Sequence, residues 1–235
     1  MISFILVTGP PFDAPLWAKV AARIESRNHV ATMVPMLQSG DGSLESEANR
    51  LAHTVLGADT PVVLVAHGTA IPAALNASQK IPPSAMVMSN GPLHGLDLFT
   101  SGFVRWATLP KLLTENPFST QALAKLMPSS IGFRRLVVNP YVMDHDTTVT
   151  VCGPIFESSL RFDRMRNYLK TLANFDWKVV PTSVPTLLCC GDSDPVSRSN
   201  IDAFMKYNQT RIQAQPVPGG RYLHPIERPW ELADR

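Results

Sequence analysis

Gly68 lies at the centre of Ala66-His67-Gly68-Thr69-Ala70, straight after the apolar run Pro61-Val62-Val63-Leu64-Val65. A strand that turns sharply into a helix there presents the turn's central side chain and the helix's first N–H groups at one place, an arrangement suited to attack on a carbonyl. Glycine brings no side chain to such an attack, and it also adopts positive φ without strain. The polar groups left for chemistry stand elsewhere. His67 flanks the glycine, Asp194 lies in Gly191-Asp192-Ser193-Asp194-Pro195, and Arg221 and His224 lie in Gly220-Arg221-Tyr222-Leu223-His224-Pro225-Ile226-Glu227-Arg228-Pro229. Asp144-His145-Asp146 is the densest polar cluster, and an imidazole between carboxylates can act as a general base. Neighbouring side chains diverge, so the same three residues also fit a turn or helix cap. Asn90 ends an apolar run, where its amide can hydrogen-bond a ligand.

The elements that must position these groups alternate. Strands are expected at Phe4–Val7, Val30–Val34, Val62–Val65, Ala85–Met88, Thr186–Cys190 and Arg211–Val217. Helical spacing covers Leu16–Ile24, Leu44–Leu56 after the turn Asp41-Gly42-Ser43, Thr69–Ala77, Ser158–Phe175, Ile201–Tyr207 and a short segment through Trp230 and Leu232. Such alternation implies an α/β fold: a mostly parallel sheet of about six strands covered by helices on both faces. From His94 to Glu157 the rhythm breaks into helical fragments and prolines. This divides the chain into a core, 1–93 and 158–235, and an inserted helical cap, 94–157, over the carboxyl ends of the strands, where ligands bind in such sheets.

At 235 residues, 45% hydrophobic and 17% charged, the chain suits one sizeable domain. A net charge of +2 with no basic run argues against a nucleic-acid partner. No apolar run reaches the roughly 18 residues of a membrane span. Met1 to Val7 reads as a core strand. Cys152, Cys189 and Cys190 form no disulfide framework, which makes the reducing cytoplasm the expected compartment. Cys189 and Cys190 read as small apolar residues of a strand. His29, His53 and His94 have no supporting context.

Three segments, in order, resemble the α/β-hydrolase superfamily over nearly the whole chain. Ala66–Ala70 is similar to its G-x-S-x-G nucleophile elbow, with Gly68 in the serine slot. Gly191–Pro195 is similar to its acid loop, which places the triad acid at Asp194. Gly220–Pro229 is similar to G-H-F-x-x-x-x-E-x-P, which places Arg221 at the triad histidine. A guanidinium stays protonated and is no ordinary base. A shift of three residues would offer His224 in its place, against the Glu-x-Pro spacing. The resemblance also implies an oxyanion hole with one N–H from Thr69 and one near Pro10 or Pro11, which have none to give. The family's first two strands are missing, so the core is trimmed. A second copy of the chain can cover the edge this leaves, as a homodimer.

The resulting expectation is an atypical member of the fold, without serine nucleophile or histidine base, that needs no cofactor or metal. It would bind a small hydrophobic acyl or polyketide-like substrate and work by positioning and acid–base catalysis, as a cyclase, dehydratase, isomerase or decarboxylase. His145, Arg221 and Asp194 are its candidate catalytic residues. Gly68, Thr69, His67, Pro10, Asn90 and Asp144 are its candidate substrate-binding residues. Arg221 and Asp194 can instead close the site as an ion pair, and His67 can pack beneath the turn. Two other readings stand beside it: a non-catalytic pseudo-hydrolase for ligand or protein binding, and an unusual esterase or thioesterase using Ser89, Thr69 or Cys152 with His224.

Overall fold

Short runs rich in Val, Ile, Leu and Met form the six strands. They are β1 (Ser3–Thr8), β2 (Val30–Val34), β3 (Val62–His67), β4 (Ala85–Ser89), β5 (Thr186–Gly191) and β6 (Ile212–Val217). A computed structural model describes residues 1–93, 95–96, 98–109, 132–175, 183–194, 201–202, 204–205 and 212–235. Among these, one sheet runs β2-β1-β3-β4-β5-β6 with every neighbouring pair parallel.

Alternate side chains feed two cores. Ile5, Val7, Leu64, Ala66, Met88 and Leu188 face one side. That side is covered by α2 (Leu44–Leu56), α3 (Ile71–Lys80) and α6 (Ser159–Ala173). Leu6, Val65, Cys189 and Val217 face the other. It is covered by a 3-10 turn at Ala14–Trp17, α1 (Ala18–Glu25), and the short C-terminal helices α7 (His224–Glu227) and α8 (Pro229–Ala233). Burial on both faces is why the inner strands β1, β3, β4 and β5 read as continuous apolar runs, while the edge strands β2 and β6 are more exposed.

The turn expected before α2 is a cap. The Ser43 hydroxyl accepts from the Ser46 N–H, and Glu45 and Glu47 occupy the positive first turn. One expected helix is divided: Leu16–Ile24 begins as the 3-10 turn. The short helix expected through Trp230 and Leu232 is α8, with Pro229 in its first turn.

Among the described residues, the segment between β4 and α6 holds helices, turns and irregular stretches and no strand. It contains α4 (Leu98–Thr108), 3-10 turns at Phe133–Leu136 and Pro140–Val142, and α5 (His145–Phe156). Its apolar residues join the sheet's own cores: Val104, Ala107 and Ile155 on one side, Phe133, Met143 and Val151 on the other. The α4 helix packs on α6, with the Trp106 and Phe162 rings edge to face at 5.4 Å. His94, Pro195, Tyr207 and Arg211 lie outside the described residues.

Candidate functional site

The carboxyl ends of β1, β3 and β4 meet at Gly68. Its φ of +62° is the left-handed conformation a side chain opposes. A Cβ there would stand 3.1 Å from the Tyr222 hydroxyl oxygen. The phenol of the residue after Arg221 therefore fills the space in front of the turn. On the other side, the Gly68 N–H donates to the Asn90 carbonyl at 2.7 Å. Gly91 follows, where a Cβ would come within 2.5 Å of the Gly68 carbonyl oxygen, so only glycine admits this approach. Gly68→Ala is expected to cost about 1–2 kcal/mol for the left-handed backbone plus the crowding of Tyr222. Adding Tyr222→Phe should relieve the crowding alone, and urea unfolding of both variants separates the two effects.

Asn90 ties three segments together. Its backbone N–H donates to the Cys189 carbonyl, and its own φ is +28°. Its side-chain amide donates to the carbonyls of Arg221 (2.9 Å) and Tyr222 (3.3 Å) and to Asp194 Oδ2 (3.4 Å). The turn, the segment carrying Tyr222 and the acid loop thus share one amide.

Strand register sets Thr8, His67, Ser89 and Cys189 side by side on the face of the second core. Ser89 Oγ lies 3.0 Å from His67 Nδ1 and 2.9 Å from His224 Nε2. His224 Nδ1 lies 3.1 Å from the Arg221 carbonyl, which can only accept. Burial holds the His224 imidazole down to about pKa 4, and burial with the facing His224 holds His67 well below its ordinary value. Both rings are neutral near pH 7, and this assigns every proton. His224 carries its hydrogen on Nδ1, so Ser89 donates to His224 Nε2. The serine oxygen accepts from His67 Nδ1–H, which leaves His67 Nε2 a bare acceptor.

The turn is braced from the first core as well. The Thr69 hydroxyl donates to the Pro10 carbonyl at 2.6 Å, in the cis Pro10-Pro11 segment. The buried Tyr168 hydroxyl of α6 donates to the Thr69 carbonyl at 2.6 Å. Tyr168→Phe strands that buried carbonyl and is expected to lower the unfolding free energy by about 1–3 kcal/mol in a urea titration. A small recess of about 10 Å³ adjoins the turn, lined by Ile71, Met88, Asn90, Gly91 and Leu188 among others.

Of the residues named from the sequence, Gly68, Thr69, His67, Pro10, Asn90 and Asp194 converge on this network. Arg221 joins it through its carbonyl, while its N–H donates to Glu227 Oε2 at 2.9 Å. Asp144 and His145 stand apart. Asp144 caps α5 by accepting from the Thr147 N–H at 2.8 Å, a bond that lowers its pKa, and His145 is exposed beside it. Burial raises the Cys152 thiol well above its ordinary value, which opposes thiolate chemistry. Sequence reasoning missed Tyr222 as a partner of Gly68, and weighed Ser89 only as a nucleophile. One signal was present: β1, β3 and β4 each end an apolar run in a polar residue, Thr8, His67 and Ser89.

Among the described residues no group of three or more His, Cys, Asp or Glu could hold a metal, and no helix is long and apolar enough to cross a membrane. No protein-family model matches the sequence, and no curated protein sequence matches it. Solved structures do match. A thermophilic esterase from Thermogutta terrifontis, solved with malate bound, superposes with a TM-score of 0.74 at 16% identity, covering 100% of this chain and 87% of its own. A laboratory-evolved variant of potato epoxide hydrolase gives 0.70 at 15% identity over 99% of this chain and 90% of its own. A deformylase from Pseudomonas putida S16 gives 0.68 at 14% identity, with coverage of 99% and 90%. Likeness at this level of identity identifies an architecture: the chain has the α/β-hydrolase fold.

Proposed function

We propose that this protein is a non-hydrolytic enzyme that uses the α/β-hydrolase fold without an acyl-enzyme. It binds a small hydrophobic acyl substrate over the Gly68 turn, between the carboxyl ends of the strands and the 94–157 segment. The observation that carries this is the Tyr222 hydroxyl, 3.1 Å from where a side chain on Gly68 would begin. A phenol at that point is placed to hydrogen-bond a substrate's carbonyl oxygen and to pass it a proton. Polarising a carbonyl in this way serves cyclisation, dehydration, isomerisation or decarboxylation. His145 and Asp144, exposed at a helix start, are not part of this reading. Arg221 and Asp194 enter it as the supports that hold the Tyr222 segment through Asn90.

A second reading is favoured by one distance. Ser89 Oγ stands 2.9 Å from His224 Nε2, and His224 is oriented by the Arg221 carbonyl, as a nucleophile and its base would be. Against it, Ser89, His67 and His224 have no exposed surface, and the serine oxygen is already engaged by His67.

The protein is treated with p-nitrophenyl butyrate and a fluorophosphonate probe, then incubated with an extract of its source cells and followed by native mass spectrometry. The expected result is no ester hydrolysis above background and no phosphonylated residue. A small molecule should bind and leave with altered mass, with turnover reduced about 10²-fold by Tyr222→Phe. Phosphonylation of Ser89, with hydrolysis lost in His224→Ala, would establish the second reading instead. A molecule that binds and leaves unchanged would make the protein a non-catalytic binder.

A further inference from the structure

Beneath the Gly68 turn, on the second-core side, three polar atoms are fully buried without a hydrogen-bond partner among the described residues: Thr8 Oγ1, Trp17 Nε1 and His67 Nε2. They belong to one small neighbourhood. Thr8 and His67 are side-by-side partners on β1 and β3, and both point to the face that Trp17 covers. The Trp17 and His67 rings meet edge to face at 6.0 Å. Tyr222 and His224 close the other sides of the imidazole, at 5.3 and 6.0 Å between ring centres.

We propose that Thr8, Trp17 and His67 form a closed binding site for a single water molecule. Leaving a buried donor or acceptor unpaired is costly, and on three adjoining residues one shared ligand would resolve it. Their chemistry is complementary to water. The indole N–H of Trp17 can only donate. The proton assignment along His67–Ser89–His224 makes His67 Nε2 an acceptor. The Thr8 hydroxyl can do either. A water that accepts from Trp17, donates to His67 and exchanges a hydrogen bond with Thr8 makes three bonds, the usual number for an internal water. An alkyl ligand would leave all three groups unpaired, and an ion would meet no charged side chain among these three.

The water also completes a chain. With it in place, hydrogen bonds run from the Trp17 indole through water, His67, Ser89 and His224 to the Arg221 carbonyl, and each imidazole is bonded at both nitrogens. This inference does not depend on the proposed function.

The test is proton NMR of the whole protein at neutral pH, with the indole N–H of Trp17 assigned by its disappearance in Trp17→Phe. The expected result is a cross-peak between that proton and the water frequency with opposite signs in NOESY and ROESY, which marks a water resident for longer than nanoseconds. Thr8→Val, which keeps the shape and removes one partner, should abolish the peak while the other tryptophan signals stay in place. A wild-type indole proton with no water cross-peak, or with same-sign peaks from simple exchange, would overturn the proposal. The wild-type spectrum decides even if Thr8→Val fails to fold.

Discussion

Arg161→Met is expected to lower the unfolding free energy by about 3–5 kcal/mol, because it leaves a buried carboxylate without its counter-charge. Asp13 follows the turn after β1 and is 4% exposed. Arg161 reaches it from the first turn of α6, with Nη1 2.7 Å from Asp13 Oδ2 and Nη2 donating to the Met36 carbonyl at 2.9 Å. Asp13 Oδ1 accepts from the Ala14 N–H, and the Asp13 N–H donates to the Val151 carbonyl of α5. One ion pair therefore joins the β1 loop, the segment after β2, α5 and α6. Asp13→Asn keeps the acceptor for Ala14 and removes the charge, so the double variant should cost less than the sum of its parts. Urea titrations of the four proteins measure that coupling. A loss of only about 1 kcal/mol in Arg161→Met would mean the pair behaves as a solvated one.

Acid should destabilise the protein well before its carboxylates protonate. His224 titrates near pKa 4 in the folded protein and near 6.5 when unfolded, and His67 is shifted in the same direction. Above about pH 6.5 both states hold these rings neutral, and the stability they permit is complete. As pH falls, the unfolded chain binds protons that the folded chain refuses, until His224 itself protonates near pH 4. His224 alone is worth about 3 kcal/mol across that window, and His67 adds to the loss. The surface aspartates Asp41, Asp144 and Asp234 are lowered by hydrogen bonds or by their arginine partners, so they weaken folding only below about pH 4. Urea midpoints measured at intervals from pH 7.5 to 4.5 should fall steadily in the wild type. In His224→Gln, less stable at neutral pH, they should fall less steeply. A flat wild-type profile would mean that both imidazoles are solvated or already charged.

Much of the fold could be read from the chain because the periodicity was local. The α2 helix runs over the expected Leu44–Leu56, with Ser43 as its cap, and the parallel sheet followed from strands apolar on both faces. The turn at Gly68 was legible for the same reason: strand, glycine and helix start are contiguous. What lay hidden was pairing across long separations. Tyr222 meets Gly68 through the third dimension, and nothing in Gly220–Pro229 says which of its aromatic or basic groups turns inward. Arg221 drew attention by occupying an expected histidine position, yet it meets Asn90, Glu227 and His224 through its backbone. His145 drew attention through flanking charge, and that charge serves a helix cap. Ser89 looked like a nucleophile on composition, and only the register of three strands shows it seated between two imidazoles.

The bond between Ser89 and His224 spans 135 residues, so at about 5–20 residues per second the serine waits roughly 7–27 s on the ribosome for its partner to be made. Through that interval the carboxyl ends of β3 and β4 are already synthesised, with the hydroxyl of Ser89 and the ring of His67 unsealed by the segment that will cover them. Until His224 emerges, the growing chain carries these polar strand ends without the partner that pairs Ser89 in the folded protein.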